Sequence, residues 1–141
     1  MLEKAVAIAV EAHRGQRDRN GAPYITHPIR VMERLKTPEE QTAGILHDVV
    51  EDTRWTFEDL RREGFPNQVL HALECVTKRD GEAYEDFVKR SASDDLARRV
   101  KLADLEDNMD LRRLPEVTEK DLPRLQKYVK GWRFLSGFDS E

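Results

Sequence analysis

Apolar residues recur at helical spacing along most of the chain. Near the start, Val6, Ala9 and Val10 lie three or four positions apart and Gly15 follows them, which predicts a helix over residues 2–12. Alternation of apolar and polar residues, the pattern of a half-buried strand, does not occur over any useful length. The pattern therefore predicts an all-α protein.

Proline, glycine and capping residues divide the rest of the chain into further helices. Thr37 is placed to cap a helix, with Pro38 at its first position and Glu40 completing a capping box, and Thr56 with Asp59 repeats this signature. The predicted helices cover residues 28–36, 38–52, a short segment between Thr56 and Gly64, 66–76, 82–91, a segment from the cap at 93–95 to Arg113, and 119–135, with a polar loop at 17–23. The spacing of the last apolar residues favours core positions over an exposed contact patch for four of them: Trp132, Phe134, Leu135 and Phe138.

Length and composition agree with one helical domain. The chain has 141 residues, so we expect residues 1–141 to form a single-domain helical bundle. Charged residues make up 37% and hydrophobic residues 38%, yet the net charge is only −4. A charge-rich chain with balanced signs and this apolar content is typical of a globular helical protein rather than of a disordered one.

The same composition excludes several classes of protein. The single Cys75 cannot form an internal disulfide. No apolar run reaches the length of a membrane span, and the N-terminus does not resemble a secretory signal, so we expect a cytoplasmic protein without a membrane partner. The slightly acidic balance argues against duplex nucleic acid as a partner.

Histidines and acids are concentrated in three short segments. His47, Asp48, Glu51 and Asp52 fall near the end of the helix predicted over 38–52, where one-turn spacing would place them along one edge. Acids at a helix C-terminus oppose the helix dipole, so this grouping predicts a compensating cation, either a metal ion or an arginine.

The other two segments supply further ligand types. His27 precedes Pro28 at the start of a predicted helix, and Asp104 and Asn108 lie one turn apart on another. Taken singly, His27 is interpreted as a loop or capping residue, and Asp104 is interpreted as a salt-bridged surface acid. Together, two histidines and two or three carboxylates from three helices are suited to a buried divalent metal ion.

Five segments of the chain resemble a known family when they are taken in order. The segments are AHRGQ at 12–16, GAPYITHP at 21–28, ILHDVVEDT at 45–53, VTK at 76–78 and VKLADLEDN at 100–108. In this combination the chain resembles the HD-type metallophosphohydrolases, and within them the hydrolase domain of RelA/SpoT-homologue enzymes and the stand-alone small alarmone hydrolases. The resemblance implies the all-α HD-domain fold.

The resemblance also implies roles for individual residues. Four residues match the metal ligands of the family, for which manganese is the usual ion: His27, His47, Asp48 and Asp104. Glu51 and Asp52 match an acidic pair that positions or deprotonates the attacking water, and Asn108 matches a residue that contacts the nucleotide. The implied reaction removes the 3′-pyrophosphate of guanosine tetra- or pentaphosphate, a small-molecule nucleotide, and gives GDP or GTP and pyrophosphate.

A polyphosphate can approach the acids of this region, Asp107 among them, only if cations lie nearby. The candidate cations are Arg17, Arg19, Lys78 and Arg112, of which Arg19 and Lys78 are the expected substrate-binding residues. One departure concerns the guanine site. Where alarmone hydrolases carry two consecutive basic residues, this chain has Asp18 and Arg19.

Two alternatives follow from these observations. Because Asp18 departs from the family pattern, the chain is also interpreted as an HD-type phosphohydrolase acting on another nucleotide or phosphorylated metabolite. A non-catalytic binding or antitoxin-like module is the other alternative, against which the intact ligand set argues. We expect no synthesis of alarmones from ATP, because 141 residues leave no room for a synthetase domain.

Overall fold

Helices make up the regular structure of residues 1–138, which are the residues described by the computed structural model. The helices are α1 (Leu2–Ala12), α2 (Thr26–Glu33), α3 (Pro38–Leu46), α4 (Val49–Asp52), α5 (Phe57–Arg62), α6 (Asn67–Val76), α7 (Tyr84–Ser91), α8 (Asp95–Asn108) and α9 (Leu122–Ser136), with 3-10 turns at Leu111–Arg113 and Glu119–Asp121. A single antiparallel bridge between Arg17 and Pro23 closes the predicted polar loop. The prediction of an all-α fold is confirmed.

Capping side chains lie at the start of several of these segments, α8 with its cap Asp94 among them, as local side-chain chemistry dictates. The side chain of Thr37 accepts the backbone N–H three residues later, and proline occupies the first turn of α3. Thr56 and Asp59 form a complete capping box at the start of α5. Thr118 and Asp121 do the same at the 3-10 turn that precedes α9. Each cap satisfies backbone N–H groups that a helix leaves unpaired at its N-terminus.

The prediction of one helix over residues 38–52 is wrong, because the chain breaks between α3 and α4. The ring Nδ1 of His47 lies 2.7 Å from the carbonyl oxygen of Gly44, which the N–H of Asp48 would occupy in a continuous helix. His47 therefore lies at the C-cap of α3, and Asp48 lies at the N-cap of α4. The expected row of four ionisable groups along one helix edge, and the dipole argument drawn from it, do not hold.

The prediction that α8 continues to Arg113 is also wrong. The helix ends at Asn108, and Leu111–Arg113 form a 3-10 turn instead. The guanidinium of Arg113 donates to the backbone oxygen of Asp107, which the N–H of Leu111 would take in a continued helix. Side-chain competition for a backbone carbonyl thus ends this helix as it ends α3.

The apolar residues form two clusters. The larger cluster includes Ile45, Leu46 and Leu73, and α3 packs within it against α1, α2, α6 and α8. The smaller cluster, with Leu105 and Leu135, joins α8 to α7 and α9. Through these contacts α2, α3 and α8 meet on one side of the molecule, and α9 lies beside the end of α8.

The core prediction for the C-terminal apolar residues holds only in part. Leu135 is 3% exposed and packs in the smaller cluster, and Trp132 packs against that cluster while remaining partly exposed. Phe134 and Phe138 are 41% and 60% exposed. Among residues 1–138, no helix is both long enough and apolar enough to cross a membrane.

Candidate metal centre

Four side-chain atoms from three parts of the fold converge. His27 lies in the first turn of α2, His47 and Asp48 form the break between α3 and α4, and Asp104 lies on α8. His27 Nε2 is 2.9 Å from Asp104 Oδ1 and 3.7 Å from Asp48 Oδ2. His47 Nε2 is 3.0 Å from Asp48 Oδ2 and 3.3 Å from Asp104 Oδ1. The structure therefore brings together two nitrogens and two oxygens from the four residues expected to bind a metal.

His47 shows why this group suits a metal ion. The side chain is 3% exposed, and because a carbonyl only accepts, Nδ1 must carry a proton and donate it to Gly44. Nε2 is buried and has no hydrogen-bond partner among residues 1–138, although two carboxylate oxygens lie within 3.3 Å. A divalent cation would bind the unpartnered nitrogen and offset both carboxylates, so the donor set fits one.

The pKa values of both histidines show the same attraction for positive charge. Burial lowers the pKa of His47, but the carboxylates of Asp48 and Asp104 outweigh it and hold the pKa well above its ordinary value. Burial likewise lowers the pKa of His27, and Asp104 and Asp107 together raise it above the ordinary value. A proton or a metal ion at either Nε2 is stabilised by the same carboxylates.

Lys101 compensates part of the buried negative charge. Its Nζ donates to Asp104 Oδ2 at 2.9 Å and lies 4.6 Å from the centre of the Phe87 ring. The other carboxylate oxygen of Asp104 faces the two histidines and accepts from the Asn108 amide at 3.2 Å. The two oxygens of Asp104 are thus divided between an ammonium and the candidate ligand cluster. Lys101 lies one turn before Asp104 on α8, a spacing at which opposite charges on a helix can pair.

Tyr24 provides a further contact to the ligand cluster that the sequence did not predict. Its hydroxyl donates to Asp48 Oδ2, and its ring lies between the rings of His13 and His27, at centroid distances of 5.1 and 5.8 Å. The tyrosine thus restrains Asp48 from the α2 side of the site. Tyr24 precedes His27 in the segment that carried the resemblance, but its spacing gave no reason to assign it a role.

Glu51 and Asp52 lie on α4 beside this cluster. Glu51 Oε1 accepts the backbone N–H of Lys78 at 2.9 Å, which fixes the orientation of its carboxylate. Oxygens of Asp48, Glu51 and Asp52 lie within 4.8 Å of one another. Burial, with the neighbouring charges of Asp48 and Glu51, raises the pKa of Asp52 to about 6. A carboxylate with such a pKa is ionised at neutral pH and is a better proton acceptor than an ordinary aspartate.

A cavity of about 530 Å³ opens above these groups. Its lining includes the expected metal ligands, the acidic pair, the expected substrate-binding residues and the candidate cation Arg17: His27, His47, Asp48, Glu51, Asp52, Lys78, Asp104, Asn108, Arg19 and Arg17. Four more cations line it that were not among the candidates, namely Lys101 on α8, Arg113 after α8, and Arg124 and Lys127 on α9. The candidate cation Arg112 does not line the cavity, because its side chain is 88% exposed and pairs with Asp110 at the cavity edge.

Asp18 has a structural role in the loop at 17–23. Its Oδ1 accepts the backbone N–H groups of Asn20 and Ala22, at 2.9 and 3.0 Å. Arg17 donates to the backbone oxygen of Gly21 at 3.1 Å, and Arg19 lines the cavity. The acid that departs from the expected basic pair therefore holds the loop together, and the arginines on either side of it, Arg17 and Arg19, both line the cavity.

Comparison with known proteins places these residues in a family context. A family model described as HD domain matches residues 5–114. A GTP pyrophosphokinase of Streptomyces coelicolor is 40% identical over 121 residues, which cover 77% of this chain and 14% of that protein. The bifunctional (p)ppGpp synthase/hydrolase SpoT of Escherichia coli K12 is 36% identical over 110 residues, covering 75% and 15% respectively. The chain thus spans about a seventh of the length of these relatives.

A solved structure shares the fold over nearly the whole chain. It belongs to a metazoan orthologue of SpoT that hydrolyses ppGpp, and it matches with a TM-score of 0.79 at 26% identity. The match covers 95% of this chain and 84% of that one. These similarities confirm the resemblance that the five sequence segments indicated.

Proposed function

Because the chain belongs to the HD domain family, we propose that it is a metal-dependent phosphohydrolase that removes the 3′-pyrophosphate of guanosine tetra- or pentaphosphate. The products are GDP or GTP and pyrophosphate. The observation that carries the proposal is the convergence of four metal-binding atoms in a cavity that cations also line. The ppGpp-hydrolysing protein that matches 95% of this chain supports the choice of substrate.

The proposed metal ligands are His27, His47, Asp48 and Asp104. A mixed set of imidazole and carboxylate donors suits Mn²⁺, which is the ion we propose. When bound, a divalent ion supplies positive charge at the phosphate and acidifies water. The protein contributes a fixed geometry: Lys101 holds one oxygen of Asp104, and the carbonyl of Gly44 holds the His47 ring.

Glu51 and Asp52 are the proposed catalytic pair. The raised pKa of Asp52, about 6, makes it the proton acceptor for the attacking water. Glu51 is held by the backbone of Lys78 and is placed to orient the same water beside Asp48. The proposed division of labour rests on the raised pKa of Asp52 and on the hydrogen bond that holds the Glu51 carboxylate.

The cationic lining is proposed to bind the phosphates of the substrate. Arg19 comes from the loop before α2, Lys78 from the segment after α6, and Asn108 from the end of α8. Arg124 and Lys127 of α9 add positive charge to the same cavity. The arginines and lysines among these groups offset the acids near the ligand cluster and allow a polyanion to approach.

The test is a substrate panel with Mn²⁺-loaded protein. The panel contains guanosine tetraphosphate, GTP, ATP and sugar phosphates, and the products are separated by anion-exchange chromatography. We expect equal amounts of GDP and pyrophosphate from the tetraphosphate. Hydrolysis of another compound, with the tetraphosphate left intact, would favour the second candidate function, a phosphohydrolase of different specificity. That candidate is considered because Asp18 stands where alarmone hydrolases carry a basic residue. No turnover of any compound would favour a binding module.

A further inference from the structure

We propose that Asp107 is a positioning residue of the metal centre, which holds the His27 ring so that Nε2 faces the other three ligand atoms. The proposal rests on the metal centre described above and adds to it a residue outside the ligand set. Asp107 lies on α8, three residues after the ligand Asp104, and is 0% exposed.

The His27 ring lies between two carboxylates of the same helix. His27 Nδ1 is 2.7 Å from Asp107 Oδ2, and His27 Nε2 is 2.9 Å from Asp104 Oδ1. An ionised carboxylate only accepts, so Nδ1 keeps its proton and donates it to Asp107. Nε2, which faces the other three ligand atoms, is then the nitrogen that can exchange its proton for a metal ion. A carboxylate behind a ligating imidazole also increases the basicity of its ligating nitrogen.

Asp107 remains ionised because arginines surround it. Arg30 Nε donates to Oδ1 at 2.8 Å, Arg113 Nη2 lies 3.4 Å from Oδ2, and Arg34 Nη2 lies 3.8 Å from Oδ1. A buried carboxylate is costly unless it is paired, and here three guanidinium groups pair with it.

The same carboxylate connects the metal centre with the wall of the cavity. Arg113 donates to the backbone oxygen of Asp107 and lies near its carboxylate, and Arg113 lines the cavity. Asp107 therefore contacts both His27, a proposed metal ligand, and Arg113, a cation that lines the cavity. No other carboxylate among residues 1–138 contacts both His27 and Arg113 in this way.

The first experiment measures metal binding with Mn²⁺ alone. Asp107→Asn keeps the side-chain volume but removes the negative charge that holds the ring and the arginines. We expect the dissociation constant for Mn²⁺, measured by calorimetry, to rise about 10- to 100-fold. The matched control is Asp95→Asn on the same helix, whose side chain is 64% exposed and pairs only with Arg98 and Arg99, and it should bind Mn²⁺ as the wild type does. Equal affinity in Asp107→Asn and wild type would overturn the proposal.

A second measurement needs no variant and so does not depend on the folding of Asp107→Asn. Nitrogen-15 spectra of the Zn²⁺-loaded wild-type protein report which ring nitrogen of His27 is protonated. We expect a proton on Nδ1 and none on Nε2, and coordination through Nδ1 would overturn the proposal. Absence of metal binding by the wild type would remove the proposed metal centre and this proposal together. Metal binding without hydrolysis of the tetraphosphate would contradict only the proposed substrate.

Discussion

The two histidines of the metal centre are held by different parts of the molecule. His47 donates to the backbone carbonyl of Gly44, at 2.7 Å, in the turn that ends α3. His27 donates to the buried carboxylate of Asp107, also at 2.7 Å, on a helix 80 residues away in sequence. The first contact is local and neutral. The second contact is distant and charged, and it depends on the arginines around Asp107.

This difference separates two kinds of ligand support. A backbone carbonyl cannot be removed by substitution, so the orientation of the His47 ring depends on the fold of the α3–α4 turn. The orientation of His27 depends on one side chain, which a single substitution removes. We therefore expect metal binding through His47 to be lost only when His47 itself is replaced. Metal binding through His27 should also weaken when Asp107 is replaced.

The largest effect is expected from removing a ligand on the His47 side. His47→Ala should abolish the stabilisation by Mn²⁺, because an ion that binds only the folded protein stabilises it by about 2.7 kcal/mol at 100 times its dissociation constant. Thermal unfolding with and without Mn²⁺ measures this shift. His71→Ala, at an exposed histidine of α6, is the control and should keep the shift. An unchanged shift in His47→Ala would contradict the assigned ligand set.

The acids on α4 test whether metal binding and chemistry can be separated. Glu51→Gln should lower the turnover number by about 10²- to 10⁴-fold, because it removes the carboxylate that orients the water. Mn²⁺ affinity should stay close to that of the wild type. Glu58→Gln, an exposed glutamate of α5, should leave both quantities unchanged. Full activity in Glu51→Gln would exclude it from the catalytic pair.

Lys101 acts on Asp104, the carboxylate that both histidines approach. Lys101→Met removes the ammonium from a pair whose side chains are 10% and 9% exposed, so without metal the free energy of unfolding should fall by about 3 kcal/mol. Bound Mn²⁺ should recover part of this loss, because the ion offsets the charge of Asp104. Urea unfolding with and without Mn²⁺ gives both values. If Mn²⁺ does not change the decrease in the free energy of unfolding, Lys101 and the ion do not both offset the charge of Asp104.

Features that depend on chemistry within a few residues could be predicted from the sequence. The caps at Thr37 and Thr56 are contacts between a side chain and a backbone N–H three positions later. The four ligand residues were identified because their motifs place histidine and aspartate at family spacing. Neither inference required knowledge of which helices pack together.

The features that sequence reasoning missed depend on competition or on distant packing. The break at His47 arises because its ring takes the Gly44 carbonyl, which helix periodicity does not reveal. Arg124 and Lys127 reach the cavity only because α9 packs on α8 and α7. Asp107 was visible as a nearby acid, but its partners His27 and Arg30 lie at least 77 residues away.

The smallest effect is expected from a carboxylate–guanidinium pair away from the metal centre. Glu82 accepts from Arg90 at 2.8 and 2.9 Å, and its side chain is 12% exposed. Glu82→Gln should lower the free energy of unfolding at pH 7 by about 1–2 kcal/mol. Mn²⁺ affinity should be unchanged, whereas in Asp107→Asn the affinity should fall.

The pH dependence identifies the charge of Glu82 as the cause. Hydrogen bonds from Arg90 lower the pKa of Glu82 from 4.5 to about 2 in the folded protein. The folded state therefore holds the proton less tightly than the unfolded state, and the stabilisation is complete above pH 4.5 and is lost as the pH falls towards 2. The difference between wild type and Glu82→Gln in urea unfolding should shrink over that interval. If the difference in free energy of unfolding stays constant with pH, the stabilisation by Glu82 comes from packing of its side chain and not from its charge.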